Sequence, residues 1–467
     1  MGDPAPRALA DAEPAVFWLA DPAAPAPAPA LAADVDCELA VVGAGYTGLW
    51  TALRARERGE ADDVVVLDAG RSGAAASGRN GGFCAASLTH GAGNGYARWP
   101  GEMGVLDRLG VENLDGIQEA VNRYGIDCDF RRTGALDVAT APWQLDELRA
   151  RAALPSPAGV PPPLLLDAAA VREELDSPTY LGGLWERHTT ALVEPARLAW
   201  GLRRAAEFHG VRLFEHSPVT AVDGRRDRVV LRTPSATVRA RRVVLATNAF
   251  PSLLRRLRPF VVPVYDYALV TEPLSPAQLA SIGWRNRQGV GDSGNQFHYY
   301  RLTRDDRVLW GGYDAVYHYG SRTSSRYEQR PETFALLARH FAETFPQLAE
   351  VRFTHRWGGV IDTSTRFCAF YGTALDGRVA YALGFTGLGV GASRFAADVA
   401  LDLLAGADTE RTRLQMVRRR PVPFPPEPVR SAGIALTKRA MARSDREGGR
   451  RNLWLRTLDR AGLGFDS

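Results

Sequence analysis

The chain has 467 residues, of which 45% are hydrophobic, so it is long enough for two domains or one large split domain. The net charge is only +4 and the basic residues, almost all Arg, are scattered, which argues against a nucleic-acid-binding protein. The four cysteines show neither a disulfide framework nor metal-ligand spacing, and no apolar run reaches the about 18 residues of a membrane span. We therefore expect a cytoplasmic protein without a signal peptide, a metal site or a membrane span.

Residues 1–34 are rich in Ala and Pro, with APAPAPA at 24–30. Such a composition predicts a flexible or polyproline-II-like arm. Within it, Phe17, Trp18 and Leu19 are the side chains that we expect to dock the arm onto the body of the protein.

The body opens at about residue 35 with a strand, a turn, a helix and a second strand, in ELAVVG, TGLWTALRARERG and DDVVVLDAG. Gly43, Gly45 and Gly48 form a G-x-G-x-x-G turn, whose glycines allow a sharp turn, a close pyrophosphate and close packing of helix on strand. Asp68 ends the second strand, where its carboxylate can accept hydrogen bonds from both ribose hydroxyls. The pattern predicts a dinucleotide site and leaves NAD and FAD open.

The pattern changes twice further along the chain. Residues 89–184 combine a helical stretch, VLDRLGVENLDGIQEAVNRYG, with a strand candidate, FRRTGALDVAT, and a surface loop at 153–163. Residues 256–320 alternate in VVPVYDYALVTEP, NQFHYYRLT and RVLWGGYDA, which is typical of an antiparallel sheet, and ETFALLARHFAETFP, 332–346, is predicted to be a helix. We predict two interleaved domains, one from 35–88, 185–255 and 355–406, and one from 89–184 and 256–354.

The C-terminal tail, 407–467, is basic, with 14 Arg or Lys against 5 Asp or Glu from residue 411 onward. GIALTKRAMARSDR and RNLWLRTLDRAG predict two short amphipathic helices. We expect them to clamp onto the body with Leu453, Trp454 and Leu458 inward, the alternative being contact with a membrane or another partner.

Five motifs together decide which family the chain is similar to: VVGAGYTGLWTALRARERG, SGRNGGF, RRVVLATNAF, WGGVIDT and GFTGLGVGAS. In order and spacing they resemble those of the D-amino-acid-oxidase-like FAD oxidoreductases, and among these the γ-glutamylputrescine oxidase group. The resemblance implies an α/β fold with a Rossmann-like FAD-binding domain of the glutathione-reductase type. It also implies a discontinuous α+β substrate domain, whose antiparallel sheet covers one face of the flavin.

The resemblance also implies which residues hold FAD. The first glycine turn would hold the pyrophosphate, Asp68 the ribose, and the helix 391–405 would point its N-terminus at the flavin, where negative charge develops on reduction. By position in the motifs, the cofactor-binding residues are Gly43, Gly45, Gly48, Asp68, Arg71, Ser77, Arg79, Asn80, Gly81, Gly82, Val219, Thr247, Gly384, Gly387 and Gly389.

The aromatic sheet supplies the candidate substrate residues, because aromatic faces favour a cationic amine over water. The candidates are Tyr265, Tyr267, His298, Tyr300, Trp310 and Tyr313, and of these Tyr267, His298, Tyr300 and Trp310 are assigned as catalytic or substrate-pocket residues. The alternative for each is a place in the core. Trp357 and Ile361 are expected to border the flavin.

Differences from the family narrow the activity that the resemblance implies. Amino-acid-oxidising relatives often carry an Arg after the tryptophan motif, where this chain has Val360 and Ile361, so an amine is favoured, although Arg356 remains a candidate cation. Sarcosine-oxidising relatives use a Lys to activate O2 and a Cys to attach FAD. The matching positions hold Trp310 and Gly358, so we expect noncovalent FAD and leave O2 or another electron acceptor open.

The implied function is oxidation of a C–N bond of a primary or secondary amine to an imine, by hydride transfer to flavin. The alternatives are an amino-acid oxidase or dehydrogenase of the same family, and a flavoprotein that acts mainly as a partner-binding module. The oligomeric state is left open.

Overall fold

The computed structural model describes residues 3–464, with two main sheets and fourteen α-helices within that range. The strands are β1 (Val35–Val42), β2 (Val64–Leu67), β3 (Phe83–Ala85), β4 (Ala135–Ala139), β5 (Leu164–Asp167), β6 (Gly182–Glu186), β7 (Thr190–Leu192), β8 (Arg212–Phe214), β9 (Ala221–Gly224), β10 (Val229–Arg232), β11 (Thr237–Leu245), β12 (Val262–Thr271), β13 (Gly289–Asp292), β14 (His298–Leu302), β15 (Val308–Gly312), β16 (Val316–Tyr317), β17 (Phe353–Thr363), β18 (Phe370–Ala374) and β19 (Val379–Leu383).

The helices surround these sheets on several sides. They are α1 (Ala5–Ala8), α2 (Tyr46–Glu57), α3 (Gly91–Arg98), α4 (Met103–Arg123), α5 (Pro142–Ala152), α6 (Ala168–Glu174), α7 (Pro195–Phe208), α8 (Pro276–Ile282), α9 (Pro331–Thr344), α10 (Gly389–Ala405), α11 (Glu410–Arg413), α12 (Gln415–Arg418), α13 (Val429–Arg446) and α14 (Leu453–Arg460).

The first sheet has eight strands, ordered β18-β19-β11-β1-β2-β8, with β10 and β9 continuing from β11. The run β19-β11-β1-β2-β8 is parallel, and β1 lies at its centre. Because both faces of a parallel sheet are covered, the central strands read as continuous apolar runs, and Leu39–Val42 is buried throughout. The carboxyl end of β1 leads directly into α2, which packs against α7 and α10 in the largest core cluster.

The second sheet has nine strands, ordered β16-β12-β15-β14-β13-β4-β6-β5, with β17 on the other side of β12. Its pairs are antiparallel except β13 with β4. WGGVIDT lies in β17, so the segment 355–363 that we predicted in the nucleotide-binding domain pairs with β12 instead. Gly358 allows this pairing, since a Cβ there would lie 2.8 Å from the Tyr267 ring.

The two faces of β12 differ, because side chains alternate along a strand. Tyr265, Tyr267 and Leu269 point to the core beneath α9. Val264 and Asp266 are on the opposite face, toward the first sheet. The space between the two sheets is therefore bounded by alternate residues of β12 and β17.

The N-terminal arm is anchored to the body rather than flexible. The backbones of Glu13 and His355 pair in an isolated β-bridge. The Trp18 side chain is 4% exposed, and its Nε1 donates to Asn80 O at 3.0 Å. Farther along, Ala28 N donates to a Glu215 carboxylate oxygen at 2.9 Å. The expected docking through the Phe17–Leu19 stretch is seen, and buried polar groups, Glu215 and Ser217, also bind the Ala/Pro stretch that follows it.

The C-terminal tail folds back across the space between the two sheets. Asp445 accepts hydrogen bonds from Asn295 N at 3.0 Å and Gln296 N at 3.0 Å, on the second sheet. Thr365 Oγ1 donates to Val422 O at 2.7 Å, beside the first sheet. Leu455 is buried, while Leu453 is 77% exposed rather than inward as we expected. Across residues 3–464, no helix is both long and apolar enough to cross a membrane.

Candidate active site

The first glycine turn needs its glycines for reasons that the coordinates make explicit. Gly43 has φ +108°, and a Cβ there would lie 2.5 Å from Ala246 O at the end of β11. A Cβ on Gly48 would lie 1.8 Å from Gly43 O, and one on Gly45 would lie 2.9 Å from Ser77 Oγ. The turn therefore brings the start of α2 close to β11 and to the loop around Ser77, and a helix start of this kind favours an anion.

Asp68 folds back onto this turn from the end of β2. Its Oδ2 accepts a hydrogen bond from Ala44 N at 2.6 Å, and its Oδ1 accepts one from Gly70 N at 2.8 Å. Burial raises the pKa of this carboxyl above its ordinary value. Each oxygen keeps a second lone pair, so the proposed acceptance of ribose hydroxyls is compatible with both bonds.

The loop Ser77–Gly82 is held from three directions. Ser77 Oγ accepts from Tyr46 N at 2.9 Å, and Arg79 O accepts from Trp357 Nε1 at 2.9 Å. Asn80 Oδ1 accepts from Gly82 N at 2.8 Å, which closes the tip of the loop. A Cβ on Gly81 would lie 2.7 Å from the Tyr299 ring, so this glycine allows the loop to approach β14 closely.

The second glycine turn lies between β19 and α10. Gly384 has φ +79° and donates from N to Asp362 Oδ2 at 2.6 Å. Gly387 has φ +90° with open space around it, and α10 begins at Gly389. Burial raises the pKa of Asp362 to about 7, although backbone N–H groups oppose the shift. Asp362 lies in the quoted motif WGGVIDT, but sequence reasoning gave it no role.

One cavity of about 1030 Å³ joins the two turns, and residues of both turns, of the second sheet and of the tail line it. Ser77, Arg79, Asn80, Gly81, Gly387 and Gly389 are among the predicted cofactor residues in its wall. A small cavity of about 30 Å³ extends it beside Gly45 and Asn248. The remaining predicted residues, which the wall does not include, are Gly43, Gly48, Asp68, Arg71, Gly82, Val219, Thr247 and Gly384.

The residues at the adenosine end are placed around the first turn and the arm. Thr247 Oγ1 is buried without a hydrogen-bond partner just after Ala246, which suits a pyrophosphate beside it. Arg71 donates to Pro25 O and lies 3.2 Å from Glu215, so it is tied to the N-terminal arm. Val219 is half-buried in the third core cluster. The unpartnered Thr247 hydroxyl and the two glycine-lined helix starts fit an extended dinucleotide such as FAD.

The aromatic candidates are divided between the two faces of the second sheet. His298 stacks against Trp310 at 4.7 Å and binds Asp292 through Nδ1 at 2.6 Å, and Tyr300 donates to or accepts from Tyr180 at 2.6 Å. All three candidates point beneath α9 and away from the cavity, as does Tyr265. Tyr267 reaches the cavity edge, but its hydroxyl is bound to Tyr327 O. Trp357, Ile361 and Tyr313 line the cavity.

A buried acid faces the cavity where we had predicted aromatic substrate contacts. Asp266 Oδ2 accepts a hydrogen bond from the Tyr299 hydroxyl at 2.6 Å, and both side chains line the cavity. Burial raises the pKa of Asp266 to about 6 and that of Tyr299 well above its usual range. Sequence analysis missed this pair. The available signal was an Asp, a residue depleted in strands, alternating with tyrosines in VYDYA.

Three cations in the cavity wall are paired with carboxylates of the protein, whereas Arg187, also in the wall, is exposed and lies over the Trp185 ring. Arg79 pairs with Glu328 at 2.6 Å, and Lys438 pairs with Asp314. Arg151 pairs with Asp137 and with Glu186. Arg356, the candidate for binding a substrate carboxylate, pairs in register with Leu269 and lies over the Phe334 ring, away from the cavity.

Comparisons with known proteins agree with this geometry. Residues 38–403 match the family described as "DAO: FAD dependent oxidoreductase". The "Gamma-glutamylputrescine oxidoreductase" of Escherichia coli (strain K12) is 35% identical over 405 residues, covering 83% of this chain and 87% of that protein. The "Probable oxidoreductase OrdL" of Haemophilus influenzae is 29% identical over 379 residues, covering 79% and 83%.

Solved structures share the fold. Glycine oxidase from Geobacillus kaustophilus superposes with a TM-score of 0.66 at 19% identity, covering 83% of this chain and all of that chain. L-proline dehydrogenase from P. horikoshii gives a TM-score of 0.66 at 18% identity, covering 81% and 95%. The expected fold class and the FAD requirement are confirmed. The protein therefore belongs to the DAO family of FAD-dependent oxidoreductases, whose domain occupies residues 38–403.

Proposed function

We propose that this protein oxidises a C–N bond of a primary or secondary amine to an imine, which water then hydrolyses. Bound FAD supplies the acceptor for two electrons, taken as hydride from the carbon next to nitrogen. The observation that carries the proposal is the Asp266–Tyr299 pair, a carboxylate facing the cavity between the two glycine turns. The similarity to a relative named as a putrescine-derivative oxidoreductase supports the same substrate class.

Asp266 is the group that we assign to the amine nitrogen. An amine reaches the cavity as an ammonium ion, and its nitrogen must lose a proton before the adjacent C–H bond can give up hydride. The Tyr299 hydroxyl holds Asp266 Oδ2, which orients the carboxylate as an acceptor for that proton. Burial is the largest cause of the raised pKa of Asp266. Of the neighbouring groups, Asp314 raises this pKa further and His298 lowers it.

An α-amino acid is the second candidate substrate, and the wall disfavours it. A substrate carboxylate needs a cation, and an Arg forms the strongest such contact. Arg79, Arg151 and Lys438 are each neutralised by a carboxylate of the protein, and Arg187, which is exposed at the wall, lies over the Trp185 ring. A flavoprotein that serves only as a binding module is the weaker alternative, because the cavity reaches both glycine turns and can hold a small substrate between them.

The reaction would take place in the cytoplasm, which the four unpaired, buried cysteines support. The electron acceptor is O2 or another compound. The test is anaerobic mixing of the purified protein with primary amines, N-methyl amines and amino acids. We expect amines to bleach the oxidised-flavin absorbance and amino acids to do so poorly. Bleaching by amino acids alone, or by none of these compounds, contradicts the proposal.

Peroxide release in air, compared with dye reduction without oxygen, then separates an oxidase from a dehydrogenase. The relatives with solved structures include both kinds by name, so the fold is compatible with either.

A further inference from the structure

The C-terminal residues from Val422 to Gly464, which we call the C-terminal wall, form one side of the cavity. On α13 the cavity-facing residues recur at helical spacing, so they share one face of the helix. The cavity-lining residues of α13 and α14 are Val429, Arg430, Gly433, Ile434, Thr437, Lys438, Met441, Trp454, Leu455 and Leu458.

The C-terminal wall is built into the site at both of its edges. On the second sheet, Glu427 accepts from the Tyr317 hydroxyl at 2.6 Å and from Gly320 N at 3.0 Å. On the side of the first sheet, Phe424 N donates to Pro259 O at 2.8 Å. These contacts hold the C-terminal wall across the gap between the sheets, where it faces the cavity.

Apolar side chains make up most of the cavity-facing surface of the C-terminal wall. Ile434, Met441, Trp454 and Leu458 are only half-buried by the protein itself, so a ligand in the cavity would cover more of their surface. Trp454 Nε1 is satisfied by Thr437 Oγ1 at 3.0 Å, which leaves the indole ring as the contact surface.

Three cations of the C-terminal wall line the cavity, and each binds a group of the protein. Lys438 binds Asp314, Arg430 donates to Ser321 Oγ at 2.8 Å, and Arg451 pairs with Asp459 at 2.6 Å. The surface that remains for a substrate is therefore hydrocarbon and aromatic, rather than a site for a carboxylate or a phosphate.

This surface lies outside the family domain. The family match ends at residue 403, before the C-terminal wall begins at Val422. A feature that the shared domain lacks and that lines the cavity is in position to distinguish the substrates of this protein from those of other members.

We propose that the C-terminal wall selects amines with an extended apolar substituent, the nitrogen lying toward Asp266 and the substituent against Ile434, Met441 and Leu458. The inference deepens the proposed function and rests on it for the position of the nitrogen. Each methylene that becomes buried is expected to raise the affinity about fourfold. Hexylamine, which has four more methylenes, should therefore exceed ethylamine in kcat/KM by up to about 250-fold.

The binding experiment uses two amines that cannot be oxidised, because their α-carbon has no hydrogen: tert-octylamine and tert-butylamine. Their Kd values are measured on the FAD-loaded protein from the flavin difference spectrum, independently of turnover. We expect tert-octylamine to bind at least tenfold more tightly. Met441→Gln, and independently Leu458→Gln on the other helix, should each reduce that ratio at least threefold.

The matched control is Leu436→Gln, since Leu436 lies on the same helix as Met441 but is 46% exposed on its outer face. This variant should keep the wild-type ratio. Equal Kd values of the wild-type protein for the two amines would overturn the inference. A Kd ratio that changes by the same factor in all three variants, or in none of them, would overturn it as well. If the larger amine binds more tightly but no oxidisable amine bleaches the flavin, the proposed function fails while the apolar selection stands.

Discussion

Asp266 lies on the cavity face of β12, between Val264 and Ala268, where its Oδ2 accepts a hydrogen bond from the Tyr299 hydroxyl. Burial raises the pKa of this carboxyl to about 6, close to neutral pH and far above the ordinary value of 3.8. A general base is most effective when its pKa lies near the working pH. The same burial that makes Asp266 useful also makes it costly to the folded state.

The catalytic consequence is a rising limb in the pH profile of kcat/KM. Because only the ionised carboxylate accepts a proton, kcat/KM for an amine should rise through about pH 6 in the wild type. Asp266→Asn should abolish this limb and lower the rate of anaerobic flavin reduction by about 10²–10⁴-fold. Tyr265→Phe, on the same strand but the opposite face, is the control and should keep the limb. A limb that persists in Asp266→Asn contradicts the assignment.

The stability consequence has the opposite sign. The pKa of Asp266 is raised in the folded protein, so its ionisation costs stability as the pH rises from about 4 to about 6. Asp266→Asn removes that cost and should raise the free energy of unfolding at pH 7.5 by on the order of 1–2 kcal/mol, with no gain at pH 4. Urea unfolding of the FAD-loaded protein at both pH values measures it, and a loss of stability at pH 7.5 would show that the amide is not accommodated.

At the scale of elements, the loop Ser77–Gly82 depends on segments far away in sequence. The arm contributes Trp18, whose indole donates to Asn80 O at 3.0 Å and whose ring lies under the Arg301 guanidinium. Strand β17 contributes Trp357, which donates to Arg79 O at 2.9 Å. Two tryptophan N–H groups thus fix consecutive carbonyls of the loop that lines the cavity.

Truncation of Trp18 is therefore expected to weaken both the fold and FAD binding. Trp18→Ala removes a buried side chain and should cost about 3–5 kcal/mol of unfolding free energy. Trp18→Phe keeps most of the volume but loses the donor to Asn80 O, so it should mainly raise the Kd for FAD, measured by titrating FAD into deflavinated protein. Phe250→Ala, at a side chain that is 47% exposed, is the control. Unchanged FAD affinity in both Trp18 variants would contradict a role for the arm in holding the loop.

At the scale of the whole molecule, FAD would lie between two sheets and two chain ends without a covalent bond. Burial raises the pKa of the Cys84 and Cys128 thiols to about 12 and also raises that of Cys368. Gly358, where sequence comparison placed the attachment position of some relatives, faces the Tyr267 ring. Reactive thiolates are accessible to solvent and have a lowered pKa, and these thiols are buried with a raised pKa.

Acid or heat denaturation should therefore release all of the flavin into the supernatant as intact FAD. Separation of supernatant and pellet, with the absorbance of each, measures it. Cys368→Ser should bind FAD as the wild type does, since the thiol is packed beneath β18 and does not line the cavity. Yellow colour that stays with the precipitated protein would contradict noncovalent binding.

Sequence reasoning predicted the parts of the molecule that local patterns determine. β1, the glycine turn, α2 and β2 follow from apolar spacing and from Gly43 and Gly48, whose neighbours allow no side chain. The similarity of five motifs then gave the cofactor. Which face of a strand meets the cavity depends on pairing between distant segments, so His298, Trp310 and Asp266 could not be assigned to a face from composition alone.

The tail shows the same limit on a larger scale. Its helices and its docking follow from amphipathic spacing, but the surface on which Trp454 and Leu458 dock is assembled from both sheets. Nothing in the local sequence indicates that their inner side is a cavity wall. The predicted domain boundary at residue 355 differs from the structure for a related reason. β17 crosses this boundary and pairs with β12 of the second sheet, and its two glycines, Gly358 and Gly359, are explained only by that pairing.

The position of α13 and α14 after the family domain has a consequence for biosynthesis. Ribosomes complete the family domain, residues 38–403, before these helices emerge. A nascent chain at that stage has both glycine turns but no C-terminal wall, so a cofactor can enter from a side that the finished protein covers. The tail would then fold over an already loaded site.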